Sequence, residues 1–157
     1  MFETMPSSLQ MESPALPTLV NMQPSECTII CAEPGMGRTT CLTRAVSIFF
    51  QRGDKASYID CQGMTAEEIV HELKKFLRRL CVKNEDVTSC KTLLALDNVY
   101  VEDEADADMI AGVVNRIIEE RASIALSTTP ECEMLAEMIP TKVCFWSSDL
   151  RMRHEKS

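Results

Sequence analysis

The sequence predicts a three-layer α/β domain in which a parallel sheet carries helices on both faces. Three observations lead there. From Cys27 onward, strand-like and helix-like stretches alternate. Thr92-Leu-Leu-Ala-Leu96 is a continuous apolar run, the pattern of a strand covered on both sides. Between the first strand and the first helix, Pro34, Gly35 and Gly37 are followed by Arg38-Thr39-Thr40, so a glycine loop leads into a helix N-terminus.

Residues 1 to 26 hold Pro6, Pro14, Pro17 and Pro24, three acids and neither Lys nor Arg, and read as a flexible N-terminal arm. Within it, Leu16-Pro-Thr-Leu-Val20 is a segment apolar enough to dock. Cys27–Ala32 is the first strand. Thr39–Arg52 is a helix with Leu42, Ala45, Val46 and Phe49 on one face, ended by Gly53. Ser57–Cys61 is a short second strand. Thr65-Ala-Glu-Glu68 is a capping box for a helix whose buried stripe is Ile69, Leu73, Phe76, Leu77 and Leu80. Lys74, Lys75, Arg78 and Arg79 come late in that helix, where the macrodipole favours cations. After the third strand and the acidic stretch Glu102–Asp108, a helix points Ile110, Val113, Val114 and Ile117 inward. Ser123–Ser127 and Lys142–Trp146 complete five strands, with a helical segment at Glu131–Met138 between them.

A chain of 157 residues with 45% hydrophobic and 25% charged residues fits one domain with a substantial core. Its formal net charge of −8 disfavours non-specific attraction to DNA or to an anionic membrane. No segment has the flanks of a signal peptide, and no apolar run approaches a membrane span. The eight cysteines form no C-x-x-C pair and no cluster with His71 or His154. Reduced thiols in a cytoplasmic protein are therefore expected, rather than a disulfide framework or a metal site. Cys41 is expected to pack beside Ala45. Both histidines, the basic cluster at 74–79 and the acids at 102–108 are expected to be solvated.

The loop Pro34-Gly35-Met36-Gly37-Arg38-Thr39-Thr40 is the candidate nucleotide cradle. Glycines let successive backbone N–H groups converge on a phosphate, and the helix dipole adds partial positive charge there. Against the Walker A pattern G-x-x-x-x-G-K-[ST], Ala32 stands for the first glycine and Arg38 for the lysine. Asp97, at the end of the apolar run Leu93-Leu-Ala-Leu96, resembles a Walker B aspartate that holds Mg²⁺ through its water shell, while the Walker A Thr39 supplies a direct oxygen. A turn or capping role for Asp97, and a vestigial loop that binds nothing, remain the competing readings.

Taken together, these segments resemble the nucleotide-binding domain of the STAND class of P-loop ATPases, in particular the MalT-like, large LuxR-type transcriptional regulators. Gly-Met-Gly-Arg-Thr-Thr (35–40) is similar to that family's G-Y-G-K-T-T. Tyr58-Ile-Asp60 falls at its second strand, Ser127-Thr-Thr-Pro130 is similar to its S-R-x-x-P segment, and Ser148-Asp-Leu-Arg-Met152 to its D-L-R-F. The resemblance covers about residues 27–152, leaving 153–157 as a tail. It implies a RecA/AAA-like P-loop NTPase fold with a five-stranded parallel sheet in the order 5-1-4-3-2. It also implies ATP or ADP with Mg²⁺ as ligands: Gly35 and Gly37 at the phosphates, Thr39 and Asp97 at the metal, Thr40 near the α-phosphate.

Three departures bear on catalysis. Arg38 replaces a lysine, and a planar guanidinium is not a compact ammonium. Asn98 replaces the second acid, and an amide cannot take a proton from water. Thr128 replaces an arginine that senses nucleotide phosphate in the family. The expected function is an ATP/ADP-binding switch domain of a signal-responsive regulator with weak or absent hydrolysis. Its partners would be the remaining domains of a larger regulator or another protein, with no direct nucleic-acid or membrane binding. The family's lid, sensor repeats and helix-turn-helix have no counterpart in the sequence, so a fragment, an excised domain or a stand-alone relic is expected. The alternatives are an interaction module on a decayed P-loop fold and a small nucleotide or metabolite kinase.

Overall fold

Strands β1 (Cys27–Cys31), β2 (Lys55–Asp60), β3 (Thr92–Val99), β4 (Ser123–Thr128) and β5 (Lys142–Trp146) pair in parallel into one sheet. Their order is β2-β3-β4-β1-β5. The computed structural model describes residues 15–33, 35–83, 90–139 and 142–146. Pro34, the motif at 148–152, His154 and the tail 153–157 lie outside the described residues, as do residues 1–14.

The helices are α1 (Ala15–Val20), α2 (Arg38–Gln51), α3 (Ala66–Lys83), α4 (Glu104–Glu119) and the short α5 (Glu133–Glu137), which follows a 3₁₀ turn at Pro130–Cys132. Strand alternation sorts the core onto two faces. Ile29, Leu94, Leu96, Ile124 and Leu126 join α3, α4 and α5 in one apolar cluster. Ile30, Leu93, Ala95 and Ala125 join α1 and α2 in the other. The parallel α/β architecture expected from the alternation is therefore present, with each buried strand feeding both layers.

Local signals explain several boundaries. In the capping box the Thr65 N–H donates to Glu68 Oε1 at 2.9 Å, and the Glu68 N–H donates to Thr65 Oγ1 at 3.1 Å. Asp103, within the acidic stretch, caps α4 by accepting from the Asp106 N–H at 2.9 Å. Gly53, at φ 88°, follows the last turn of α2. Strands β2 and β3 are longer than their apolar runs suggest, and β3 extends through Asp97 and Asn98 to Val99.

In the N-terminal segment, the stretch 16–20 that the sequence marks as apolar enough to dock is packed on the domain. Of the arm assigned to residues 1–26, the described part is docked: Ala15, Leu16, Leu19 and Met22 are buried in the cluster that holds Leu42, Ala45 and Phe49. Pro17 is tolerated because it falls in the first turn of α1, where no intrahelical donor is needed. Gln23 and Glu26 then tie the segment to β4, accepting from Ser123 Oγ at 2.7 Å and from the Ile124 N–H at 3.0 Å. Among the described residues of the segment, the burial of four apolar side chains outweighs the loosening effect of the prolines.

Candidate functional site

In a parallel sheet every strand ends at the same edge, and α/β proteins bind ligands in the crevice beyond that edge. The loop after β1 turns there through Gly35 (φ 88°) and Gly37 (φ 94°), a region that L side chains rarely adopt. A Cβ on either glycine would meet nothing within 4 Å, so the space above the loop is open. Gly37 is the N-cap of the 14-residue α2 and supplies no side-chain acceptor. The first N–H groups of the helix are therefore available to an anion.

Arg38 is only 6% exposed. Its Nη1 donates to the Ala32 carbonyl at 2.7 Å, and its Nη2 donates to Asn98 Oδ1. Both acceptors are neutral, and among the described residues no acid forms an ion pair with it. Among the described residues the guanidinium has no direct counter-ion, so an anion reaching it would supply the missing charge pairing.

Asp97 is fully buried at the end of β3. Its Oδ2 accepts from Thr39 Oγ1 at 2.6 Å and from the Tyr58 hydroxyl at 2.6 Å, and its Oδ1 accepts from Ser127 Oγ at 2.5 Å. The structure thus brings Thr39 and Asp97 together. Tyr58 and Ser127 were not singled out as site residues. The register contains the missing signal for Tyr58, because Asp60 pairs with Asp97 and a tyrosine two residues earlier lies diagonal to that carboxylate. Burial, then hydrogen bonding to Asp97 and its charge, pushes the Tyr58 hydroxyl well above its usual pKa, so it stays a donor.

Asn98 sits at φ 61°, and its N–H donates to Ser127 Oγ at 2.8 Å. Its amide is used at both ends: Oδ1 accepts from Arg38, and Nδ2 donates to Asp60 Oδ1 at 3.0 Å. That donation, with the Gln62 N–H at 3.1 Å, holds the Asp60 carboxyl below its ordinary pKa. Nearby, burial first and then the charges of Asp60, Asp97 and Glu72 push the Cys61 thiol up to about 12, which removes it as a nucleophile.

The cleft above these groups has a volume of about 570 Å³. Gly35, Gly37, Arg38, Thr39, Thr40 and Asn98 line it, joined by Gln62, Gly63, Val99, Tyr100 and Thr129, which the motifs did not single out. Asp97 lies fully buried and is not part of that lining, and two expected ligand contacts lie elsewhere. Met36 is half-buried against the α1–α2 cluster. Thr128 is fully buried and donates to the Val99 carbonyl at 2.6 Å, so its hydroxyl is spent inside the sheet. Alternation explains the second correction: Ser127 faces Asp97, Thr128 faces away, and Thr129 beyond the strand end reaches the cleft. Among the described residues no group of three or more His, Cys, Asp or Glu could hold a metal by itself. No helix among them is long and apolar enough to cross a membrane.

The residues present fit the phosphates of a nucleotide: two glycines in the left-handed region, an uncapped helix start and a buried cation with no direct counter-ion among the described residues. Thr39 and Asp97 are the pair that would hold Mg²⁺, which supplies charge neutralisation at the phosphates when bound.

No protein-family model and no curated protein matches the chain. Solved structures do match its fold. The replication initiator DnaA bound to AMPPCP and single-stranded DNA is similar at 16% identity and a TM-score of 0.50, over 89% of this chain and 45% of that one. The E. coli MS115-1 HORMA:CdnC:Trip13 complex contains a chain similar at 11% identity and a TM-score of 0.59, over 98% of this chain and 63% of that one. The Aeropyrum pernix ORC1 protein in complex with DNA is similar at 15% identity and a TM-score of 0.50, over 84% and 42%. The chain spans less than two thirds of the length of each. These likenesses show the fold alone, that of P-loop NTPases, and none of the three is a LuxR-type regulator.

Proposed function

We propose that this chain binds ATP or ADP through the 35–40 loop and hydrolyses ATP slowly or not at all. The observation that carries the reading is Arg38, a buried guanidinium whose hydrogen-bond partners among the described residues are neutral, set at the mouth of an uncapped helix beside two left-handed glycines. A polyphosphate is the ligand whose charge and size answer that arrangement. Slow hydrolysis follows from Asn98: an amide cannot take a proton from water, and both of its ends are already engaged, by Arg38 and Asp60.

A role as the switch module of a signal-responsive transcriptional regulator rests on the motif resemblance. Three of its four segments, at 35–40, 58–60 and 127–130, fall on described residues at the carboxyl edge. In that role nucleotide would set the position of further domains or of a partner protein, without nucleic-acid contact by this segment. Calorimetric titration of the full chain with ATP and ADP tests the reading, with Gly37→Val as the control that forces a β-branched residue into φ 94°. Heat with the native chain and none with the variant is the expected result. Absence of binding at millimolar nucleotide would favour the interaction module, and robust multiple turnover would overturn the hydrolysis half.

A further inference from the structure

Tyr58 shares an acceptor with the threonine that a metal would need. Its hydroxyl donates to Asp97 Oδ2 at 2.6 Å, and the Thr39 hydroxyl donates to the same oxygen at 2.6 Å. A carboxylate offers about four lone-pair positions, two on each oxygen. On Oδ2 both are taken, by Thr39 and Tyr58, and on Oδ1 one is taken by Ser127. A water in a magnesium shell beside Thr39 would compete with the phenol for Oδ2, the carboxylate oxygen that Thr39 itself contacts.

Backbone pairing keeps the hydroxyl there. Tyr58 is in register with Ala95, and its ring packs against the cluster of α1 and α2. Moving it aside means breaking the bond to a buried charged acceptor and shifting the half-buried ring against that cluster. The positive charge that a divalent ion would bring is meanwhile partly supplied by the uncompensated Arg38.

We propose that Tyr58 is an internal competitor for the metal position, so that the site holds nucleotide phosphates with little help from a divalent cation. The metal half of this inference stands on the Tyr58–Thr39–Asp97 geometry, whereas the nucleotide half rests on the function proposed above.

Two readouts on the full chain separate the halves. In the first, Mn²⁺ alone, a paramagnetic probe of oxygen-ligand sites, is titrated into the native chain and Tyr58→Phe and followed by electron paramagnetic resonance. The phenylalanine variant is expected to bind Mn²⁺ about tenfold more tightly or better, the worth of one hydrogen bond to a charged group. Equal affinity in the two chains, or tight binding by the native chain, overturns the proposal. In the second, ATP and ADP are titrated by calorimetry with Mg²⁺ and with a chelator. The native affinity is expected to change by less than about threefold, and that of Tyr58→Phe to improve about tenfold on adding Mg²⁺. Strong Mg²⁺ dependence in the native chain refutes the inference with no variant required, so a poorly folding mutant leaves it testable. Tighter Mn²⁺ binding by the variant with no nucleotide heat in either chain would sustain the competitor and sink the nucleotide reading.

Discussion

Replacing Arg38 with methionine keeps most of the aliphatic stem and removes the charge, so it separates what the guanidinium does for binding from what it does for folding. In the ligand-free chain two effects oppose each other. The variant loses two charge-assisted hydrogen bonds, to Ala32 O and Asn98 Oδ1, worth about 1.5–3 kcal/mol each. It is also relieved of burying an unpaired cation, a penalty of several kcal/mol. The net change in ligand-free stability is expected to be small, within about 2 kcal/mol, because the two contributions are of similar size. Binding has no such compensation, because the phosphate loses its cation. At a nucleotide concentration about 100 times the native dissociation constant, the native chain gains about 2.7 kcal/mol by mass action. A tenfold loss of affinity lowers that increment to about 1.4 kcal/mol, and a hundredfold loss to about 0.4 kcal/mol. For a domain of this size the native increment corresponds to about 5–10 °C in melting temperature, and the hundredfold-weakened one to about 1–2 °C. Thermal melts of both chains with and without ATP read the difference directly. A variant that keeps the full increment would show that Arg38 does not meet phosphate. A variant that loses many degrees without ligand would show that the guanidinium is a structural tie between the loop and β3.

Two further outcomes follow from other parts of the structure. Leu19→Ala empties a fully buried site under α1 and is expected to cost about 2–5 kcal/mol in chemical denaturation, whereas a change below about 0.5 kcal/mol would mean that α1 is not docked. Asp60 has a depressed folded pKa, first because the Asn98 amide donates to it and then because the Gln62 N–H does. Its contribution to stability is therefore present above the unfolded carboxylate pKa and is lost as pH falls through the lower folded value. Asn98→Ala should move the Asp60 midpoint upward in a carboxyl NMR titration and flatten that part of the pH–stability curve. An unchanged midpoint would rule out the Asn98–Asp60 bond.

The chemistry at the carboxyl edge was legible only in part. Gly35, Gly37, Arg38, Thr39 and Asp97 stood out because each belongs to a short motif tied to one loop or one strand end. Tyr58 and Ser127 fall in segments of the resemblance that assign them no role in the site; they matter because their hydroxyls reach Asp97 from positions 39 and 30 residues away in sequence. Thr128 was misplaced for a related reason. A motif aligned letter by letter does not say which face of β4 a residue takes, and the register gave the cleft to Thr129.

By itself, the sequence determined the features that short-range physics controls. The alternation of periods set the α/β class, Thr65 and Glu68 set the start of α3, and the glycines set the turn before α2. Each depends on backbone propensities and side chains a few residues apart, so it can be read along the chain. Tertiary structure alone decided that residues 15–22 close the core, that Arg38 spans from Ala32 to Asn98, 60 residues on, and that Asp97 accepts from three hydroxyls. Those contacts exist only once parallel strands are in register. Register is a collective property of the sheet, set by which apolar faces find each other in the core, and no single segment encodes it.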